Sequence, residues 1–489
     1  MARNTHTGPA LTVEGVSQDG AHKIHPAEVY AGRKFHFIGA GGIGMSGLAK
    51  LMLHNQSRIA GSDAMAGITI EQLNSAGAKI RIGHTPNLDD DVEAVVISAA
   101  VTEDNAELQA ARARGLKVYK YAQMLGELFN GYDGIAISGT HGKSTTSGWL
   151  AFVLREAGLE PTFIVGADIP QLGSNSGAGD GTWFVAEACE YDRSFLCLSP
   201  RIGTILNIEQ DHLDYYKDEA EIVGAFAEFA KKIRPGGVLV ANGQDKNLAG
   251  VLKNLPENIQ VQTFGLDKKC VFYADNIVLD KGCYGFDVYR SGELLGRVRI
   301  SLAGVHNIYN ALAVIAMASS AGVDAKRILE ILPRFGGVDR RMMFKAEVGG
   351  VTVLDDYAHH PTEIRASLAG IREKYSPNRL FCVFQPHQYS RARFLLDDFA
   401  ESFKLADVTV VPDIYFVRDS QQNKEMVNAQ KLVERIRQSG SEAVFIDSFE
   451  LIRDYLLKNV KSGDLIVTMG AGDIWKVSDE CIQGLRANS

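Results

Sequence analysis

The sequence predicts an α/β protein of three domains, each built on a mainly parallel, doubly wound sheet. Three observations carry that expectation. The chain has 489 residues, more than one hydrophobic core serves. Short apolar strand signals alternate with helical ones through most of its length. Two glycine-rich turns each follow a strand and open a helix. A hydrophobic content of 46%, with 49 Gly and only 13 Pro, suits a globular chain of this class.

Residues 1–31 are polar and carry Glu14 and Asp19 where a secretory signal needs a continuous apolar run, so they read as a flexible extension. The first domain is placed at 32–126. Its first strand, Lys34-Phe35-His36-Phe37-Ile38, runs into Gly39-Ala40-Gly41-Gly42-Ile43-Gly44 and a helix through Leu53. Further strands are expected to end at Ser62-Asp63 and to cover Lys79 to Ile82 and Val95 to Ser98. A second domain, 127–335, opens with the strand Gly134 to Ser138, a second Gly-rich loop and a helix from Ser144 to Gly158. Its strands recur at Trp183 to Ala186, Ile202 to Leu206 and Gly237 to Ala241. The alternating stretch Val261 to Leu302 reads as a small antiparallel insertion, and a helix from Ile308 to Ser319 closes the unit. The third domain, 336–489, shows strands at Thr352 to Asp355, Leu380 to Phe384, Val408 to Pro412, Ala443 to Ile446 and Leu465 to Met469.

Composition excludes several classes of function. Lys plus Arg number 51 against 59 Asp plus Glu, a net charge of -8, which gives no broad attraction to nucleic acid or to an anionic membrane. Any anionic ligand must be held by local groups. Six scattered cysteines without a C-x-x-C pair argue against a disulfide framework or a thiolate zinc site and fit a reducing, cytoplasmic compartment. No segment has the apolar length of a membrane span, and no oligomeric state follows from the sequence.

The strongest local signal is Gly139-Thr140-His141-Gly142-Lys143-Ser144-Thr145, between an apolar strand and a helix. Glycines let backbone N–H groups curl around phosphate oxygens, the helix N-terminus adds partial positive charge, and Lys143 can neutralise the β- and γ-phosphates. Ser144 can offer its hydroxyl to Mg²⁺. The plain alternative is a glycine turn that happens to carry a lysine. The central domain is therefore read as a P-loop-type ATPase flanked by two Rossmann-like domains. Gly39, Gly41 and Gly44 form G-x-G-x-x-G after a strand, with Asp63 about twenty residues on, as in a dinucleotide site. Alone the motif suggests an NAD-dependent dehydrogenase, yet the same geometry accepts any diphosphate with an attached ribose.

Glu187-Ala188-Cys189-Glu190-Tyr191-Asp192 and Asn207-Ile208-Glu209-Gln210-Asp211-His212 follow adjacent strands, so their carboxylates and imidazole converge where a phosphate loop puts its ligand. Hard oxygen donors there suit Mg²⁺. Asp211 and Asp214, taken singly, read as solvated loop residues. Asp355-Asp356-Tyr357-Ala358-His359-His360-Pro361 lies at the carboxyl edge of the third sheet. Zinc is not expected there, because neighbouring side chains point apart and no further imidazole has matching spacing. Arg340-Arg341 and His387-Gln388-Tyr389-Ser390-Arg391 are either solvated charges or clamps for phosphate and carboxylate.

Together these residues resemble the Mur ligases, the ATP-dependent enzymes that build the peptide stem of the bacterial cell wall. The resemblance runs from about Lys34 to Trp475 through FIGAGGIGMSG, GTHGKSTT, EACEYD, NIEQDHLDYY, HNIYNALA, DRRMMF, DDYAHHPTE, FQPHQYSR and MGAGDIW, in that order. It implies a UDP-substrate domain, a central ATPase domain and a C-terminal amino-acid domain. The implied reaction joins L-alanine to the lactyl carboxylate of UDP-N-acetylmuramate with ATP and Mg²⁺, a cytoplasmic step of peptidoglycan synthesis. The implied alternative attaches a recycled tripeptide to the same UDP-sugar.

Carried over residue by residue, the resemblance gives Gly39, Gly41, Gly42, Gly44, Asp63 and His84 to the UDP-substrate. It gives Gly139 to Thr145, Asn307, Asn310 and Arg341 to ATP. Ser144, Glu187 and His212 look like the metal shell, and Tyr357, His359 and Arg391 line the side where the amino acid arrives. Lys143, Glu187, His212, Arg341 and Asp356 are the implied catalytic set. Ser144 stands where Thr is commoner, Cys189 and Tyr191 replace the Asp and Ser of EADESD, and Gln388 stands where Arg is frequent. No metal role is assigned to Cys189 or Tyr191, and no carbamylated lysine is assigned.

Overall fold

The computed structural model describes residues 29–488 except 214, 417, 418 and 420. The extension expected over residues 1–31 falls, up to residue 28, outside the described residues, and so does the solvated Asp214. Among the described residues the strands form three sheets, of five, ten and six strands.

The first sheet is parallel throughout, in the spatial order Lys79–Ile82, Arg58–Asp63, Lys34–Ile38, Ala94–Ile97, Lys117–Lys120. Strand order reverses beside Lys34–Ile38, so the turn that leaves this strand opens into the crevice where ligands bind in such sheets. The run Phe35 to Ile38 is buried on both faces, His36 included.

The second sheet runs Glu293–Arg299, Cys283–Arg290, Phe272–Asp280, Gln260–Gly265, Val238–Asn242, Ile202–Ile205, Asp133–Ser138, Trp183–Glu187, Thr162–Ile169, Ser174–Gly177. The antiparallel insertion is smaller than its sequence suggests. Gln260–Gly265 pairs parallel to Val238–Asn242, and antiparallel pairing begins only with Phe272–Asp280 against Cys283–Arg290. Gln260–Gly265 is only partly buried, and a half-buried parallel strand alternates apolar and polar residues just as a hairpin strand does, so the pattern could not separate them. The third sheet runs Met343–Val348, Val351–Asp356, Leu465–Met469, Leu380–Phe384, Val408–Val411, Ala443–Phe445, with only the first pair antiparallel.

Packing fixes how the domains meet. One face of the central sheet is covered by the helices Lys143–Glu156 and His306–Ser320, with Trp149, Leu312, Ile315 and Met317 buried together. On the other face Phe195, Phe226 and Phe229 belong to one continuous core with Phe37, Leu48 and Met52 of the first domain. The first and central domains thus share buried apolar surface, the contact that resists separation. Residue 126 lies inside the helix Tyr121–Phe129, where Gly126 admits the carbonyl of Cys197: an added Cβ would come within 2.5 Å of that oxygen. Among the described residues, no helix is long and apolar enough to cross a membrane.

Candidate functional site

The phosphate loop leaves the buried strand Asp133–Ser138 and enters the helix Lys143–Glu156. Gly142 caps that helix at φ +83°, a left-handed conformation, and a Cβ there would lie 2.9 Å from Asn310 Oδ1. Only glycine meets both demands without strain. The Lys143 ammonium turns back on the loop, donating to the carbonyls of Gly139 at 2.6 Å and Thr140 at 3.0 Å and to Glu190 Oε1 at 3.1 Å. Burial acts to lower the Lys143 pKa, but Glu190 first and the neighbouring groups after it hold the ammonium charged well above its ordinary range. Ser144 and Thr145 follow in the first helical turn, and Thr145 faces a cavity described below.

Carboxylates gather on the Lys143 side of the loop. Glu187 ends the strand Trp183–Glu187, and its Oε1 is buried without a hydrogen-bond partner. A buried carboxylate oxygen with nothing to bind is costly unless a cation completes it. Together with the Ser144 hydroxyl, this orphaned oxygen fits Mg²⁺, which prefers hard oxygen donors. His212, at φ +55°, brings Nε2 to 3.7 Å from Glu190 Oε1 and packs its ring on Tyr191 with centroids 5.0 Å apart. Glu190 therefore joins Lys143 to His212, a role its place inside EACEYD did not reveal. Cys189 lies beside these groups and is exposed to solvent.

A cavity of about 470 Å³ opens on the other side of the loop, between the central and C-terminal domains. Of the residues given to ATP from the sequence, His141, Gly142, Thr145, Asn307, Asn310 and Arg341 line it, together with Asp356, while Gly139, Thr140, Lys143 and Ser144 do not. Asn310 Nδ2 donates to Asn307 Oδ1 at 3.0 Å, and Asn307 in turn donates to the Ala303 carbonyl at 2.7 Å. The two adjacent arginines part company: Arg340 is committed to Asp355 at 2.9 Å and to the Gly470 carbonyl at 2.8 Å, while Arg341 faces the cavity. Arg341 lies over the Tyr357 ring, 5.1 Å from its centroid, and reaches Glu363 Oε1 at 3.4 Å. Asp356 accepts from the Ala358 and Met342 N–H groups at 2.8 and 3.1 Å and from the Ser367 hydroxyl at 2.8 Å. Burial raises its pKa to about 6 against the pull of Arg341.

Glu363 is the residue the sequence reading missed most clearly. It sits in the first turn of the helix Pro361–Tyr375 and meets Arg341, His141 Nδ1 at 3.3 Å and His359 Nδ1 at 3.3 Å. The motif DDYAHHPTE contained it, and a carboxylate at a helix N-terminus next to two imidazoles was the available signal. His359 and His360 do point apart, as expected. No further imidazole has matching spacing along the chain, yet the fold brings the His141 ring against that of His360, tilted at 44° with centroids 4.6 Å apart. The fold supplies a partner that spacing along the chain cannot.

In the first domain Gly41 N–H donates to Asp63 Oδ2 at 2.7 Å and Met65 N–H to Asp63 Oδ1 at 3.0 Å, so Asp63 braces the glycine turn. A Cβ on Gly44 would lie 2.9 Å from the Tyr121 ring, and burial followed by Glu187 raises the Tyr121 pKa. The turn and the central carboxylates therefore approach one another across Tyr121, which the sequence did not single out. Gly42 precedes the helix Ile43–His54 as its cap, and the Ile43 carbonyl accepts from Asn175 of the central domain at 2.8 Å. His84 Nδ1 lies 2.9 Å from Ser62 Oγ and 3.0 Å from the buried Glu107. The Ser62 carbonyl accepts from Gly39 and Ala40, which places His84 beside the turn.

One expectation is overturned. Asp211 is not a solvated loop residue: it is 8% exposed and accepts from Arg391 Nε and Nη2 at 3.2 and 3.0 Å. Arg391, itself buried, comes from the C-terminal domain, so this ion pair crosses the domain junction. A chain-local reading of an acidic run could not know that the third domain closes over it. Tyr357 and His359 lie nearby, with rings 5.3 Å apart.

Family models match along most of the chain: a Mur ligase family catalytic domain over residues 34–133, a Mur ligase middle domain over 137–318 and a Mur ligase glutamate ligase domain over 340–472. A Clostridium botulinum protein named UDP-N-acetylmuramate–L-alanine ligase is 43% identical over 449 residues, 91% of this chain and 97% of its own length. The chain belongs to the Mur ligase family. This Mur ligase is also 41% identical over 453 residues to the Caldanaerobacter subterraneus protein of the same name, covering 92% of this chain and 97% of that one. Among solved structures, the UDP-N-acetylmuramate-alanine ligase of Thermotoga maritima superposes with a TM-score of 0.78 at 27% identity, covering 93% of this chain and all (100%) of that one. A murein peptide ligase of Psychrobacter arcticus follows at 0.69 and 26%, with 93% and 99% covered. As a Mur ligase the chain does not support the dehydrogenase reading of Gly39 to Gly44, which rested on that turn alone.

Proposed function

We propose that this Mur ligase joins L-alanine to the lactyl carboxylate of UDP-N-acetylmuramate, converting ATP to ADP and phosphate, in peptidoglycan synthesis. The observation that carries this reading is the two-sided phosphate loop. On one side Lys143, Glu187, Glu190 and His212 cluster toward the first domain; on the other a cavity of about 470 Å³ is shared with the C-terminal domain. The relatives named for the alanine reaction, and the higher TM-score of the alanine ligase, favour it over tripeptide attachment.

In this reading Asn307 and Asn310 border the ATP base or ribose, the loop from Gly139 to Thr145 takes the phosphates, and Gly39 to Gly44 with Asp63 and His84 take the UDP-substrate. A carboxylate oxygen of that substrate attacks the γ-phosphorus, the bond to ADP breaks, and ADP departs with the electron pair. Lys143 and Arg341 spread the charge that develops on the transferring group. Ser144, Glu187 and His212 would hold Mg²⁺, which when bound supplies further charge stabilisation there. The neutral amine of L-alanine then attacks the acyl carbon of the acyl phosphate, the carbon–oxygen bond to phosphate breaks, and the nitrogen gives up a proton to leave an amide. Tyr357, His359 and Arg391 border the side from which the amine arrives. Asp356 orients the junction through its bonds to Met342 and Ala358.

The test is a phosphate-release assay with ATP, Mg²⁺ and UDP-N-acetylmuramate, offered single amino acids and the stem tripeptide in turn. The reading expects L-alanine to give the highest kcat/KM, and preference for the tripeptide would overturn it.

A further inference from the structure

The phosphate loop carries one ring nitrogen that the fold leaves without a hydrogen-bond partner. His141 Nε2 is buried and makes no hydrogen bond, although Glu209 Oε2 lies 3.4 Å away. One ligand atom each from His141, Glu209 and His360 lies within 4.8 Å of the others. The outer contacts are those of a metal-binding imidazole. His141 Nδ1 points at Glu363 Oε1, 3.3 Å away, as the outer nitrogen of a metal-bound imidazole points at a carboxylate. Burial acts to lower the His141 pKa, but Glu209 and Glu363 raise it to about 9, so an ion at Nε2 takes the place of a proton there. The Thr362 hydroxyl, two residues after His360, donates to Glu209 Oε2 at 2.7 Å and fixes that carboxylate.

We propose that His141, Glu209 and His360 form a site for a divalent transition-metal ion such as Zn²⁺, distinct from the Mg²⁺ position at Ser144, Glu187 and His212. Two imidazoles and one carboxylate with an open fourth position are a borderline-soft set, which takes Zn²⁺ or Co²⁺ in preference to Mg²⁺. Bonds of about 2.0–2.1 Å to a tetrahedral ion require the three donors to close in modestly from their present spacing. His360 must also give up two long contacts, Nε2 with the Gln210 carbonyl at 3.2 Å and the bond that Nδ1 accepts from the Thr362 N–H at 3.3 Å, because ligation at Nε2 puts the ring proton on Nδ1. Binding displaces any proton held on His141 Nε2, which leaves to solvent. The donors come from the phosphate loop, the loop after the strand Ile202–Ile205, and the helix start of the C-terminal domain. The ion therefore fastens that domain onto the phosphate loop and opposes the opening that product release requires.

Co²⁺ titration of the full-length enzyme, without nucleotide and with Mg²⁺ in excess, tests the site through the visible absorption of tetrahedral cobalt. The expected result is one saturable equivalent with that spectrum, weakened about 100-fold or more in His360→Gln and in Glu209→Gln. In Glu363→Gln the weakening expected is roughly 10–100-fold. His212→Gln should bind as the unaltered protein does. Melting curves of each variant identify any that fails to fold, and the variants come from two domains, so a folded one from either side suffices. The proposal is overturned by the absence of a saturable tetrahedral spectrum, by its persistence in folded His360→Gln and Glu209→Gln, or by its loss in His212→Gln alone.

Discussion

Lys143 is held by two carbonyls of its own loop and by Glu190, so the loop is already shaped around a charged group before any nucleotide arrives. In the proposed reading, triphosphate oxygens take the place of the two neutral carbonyls as charged acceptors. Lys143→Ala should lower ATP-dependent phosphate release on the order of 10³-fold while leaving the affinity for UDP-N-acetylmuramate within about twofold; equal loss of both, measured by release assay and calorimetry, would place Lys143 in the sugar-nucleotide site instead. At this scale the sequence was informative wherever a residue type is demanded locally. Gly142, with its positive φ and its contact to Asn310, was legible because a turn before a helix has few solutions. Glu190, Glu209 and Glu363 were not, since a carboxylate inside an acidic or polar motif declares no partner until the fold brings one.

At the scale of elements, a strand was readable where its apolar residues run together, and position in the sheet did not decide it: the edge strands Lys79–Ile82 and Ala443–Phe445 were expected and the interior strand Thr162–Ile169 was not. Lys34–Ile38, apolar at Phe35, Phe37 and Ile38, and Leu465–Met469, apolar but for Thr468, coincide with their expected limits. Lys117–Lys120, with a lysine at each end, and Met343–Val348, half exposed on an antiparallel edge, carry too little pattern. The first sheet also holds a polar cluster that no motif announced: Glu107 is wholly buried, bonded to Ser62, 3.0 Å from His84 Nδ1 and 3.3 Å from His36 Nε2. Burial raises the Glu107 pKa, but bonds from His36, Ser62 and His84 bring it below the ordinary carboxylate value of 4.5. A carboxyl depressed in the folded state contributes stability above its unfolded pKa and loses it as pH falls through the folded value. Glu107→Gln should therefore cost ~2 kcal/mol near neutrality, and the deficit against the unaltered protein should shrink as pH falls below 4.5. Thermal melts at a series of pH values decide this, and a deficit that stays constant with pH would contradict it.

At the scale of the whole molecule, the three sheets were expected because strand and helix signals repeat. How the domains close was not, because closure depends on pairs far apart in sequence. Asp211 and Arg391 are the clearest case, a buried ion pair between the central and C-terminal domains. Burial raises the Asp211 pKa, but Arg391 above all holds the carboxyl well below its ordinary range, so the pair is ionised. Removing one partner strands a buried charge, a loss of about 3–5 kcal/mol when the structure cannot relax. Here the relaxation available is separation of the domains. Asp211→Asn should raise the radius of gyration seen by solution scattering, with closure restored by ATP and UDP-N-acetylmuramate together. An unchanged radius with an unchanged melting temperature would show that the pair does not hold the domains.

The central claim is that the carboxylate brought by the first domain is phosphorylated before the amine attacks. Placing ¹⁸O in the lactyl carboxylate of UDP-N-acetylmuramate and analysing the phosphate released with L-alanine tests it directly. The account predicts one labelled oxygen in each phosphate formed. Phosphate free of label, with both carboxylate-derived oxygens unaccounted for in it, would contradict the acyl-phosphate route.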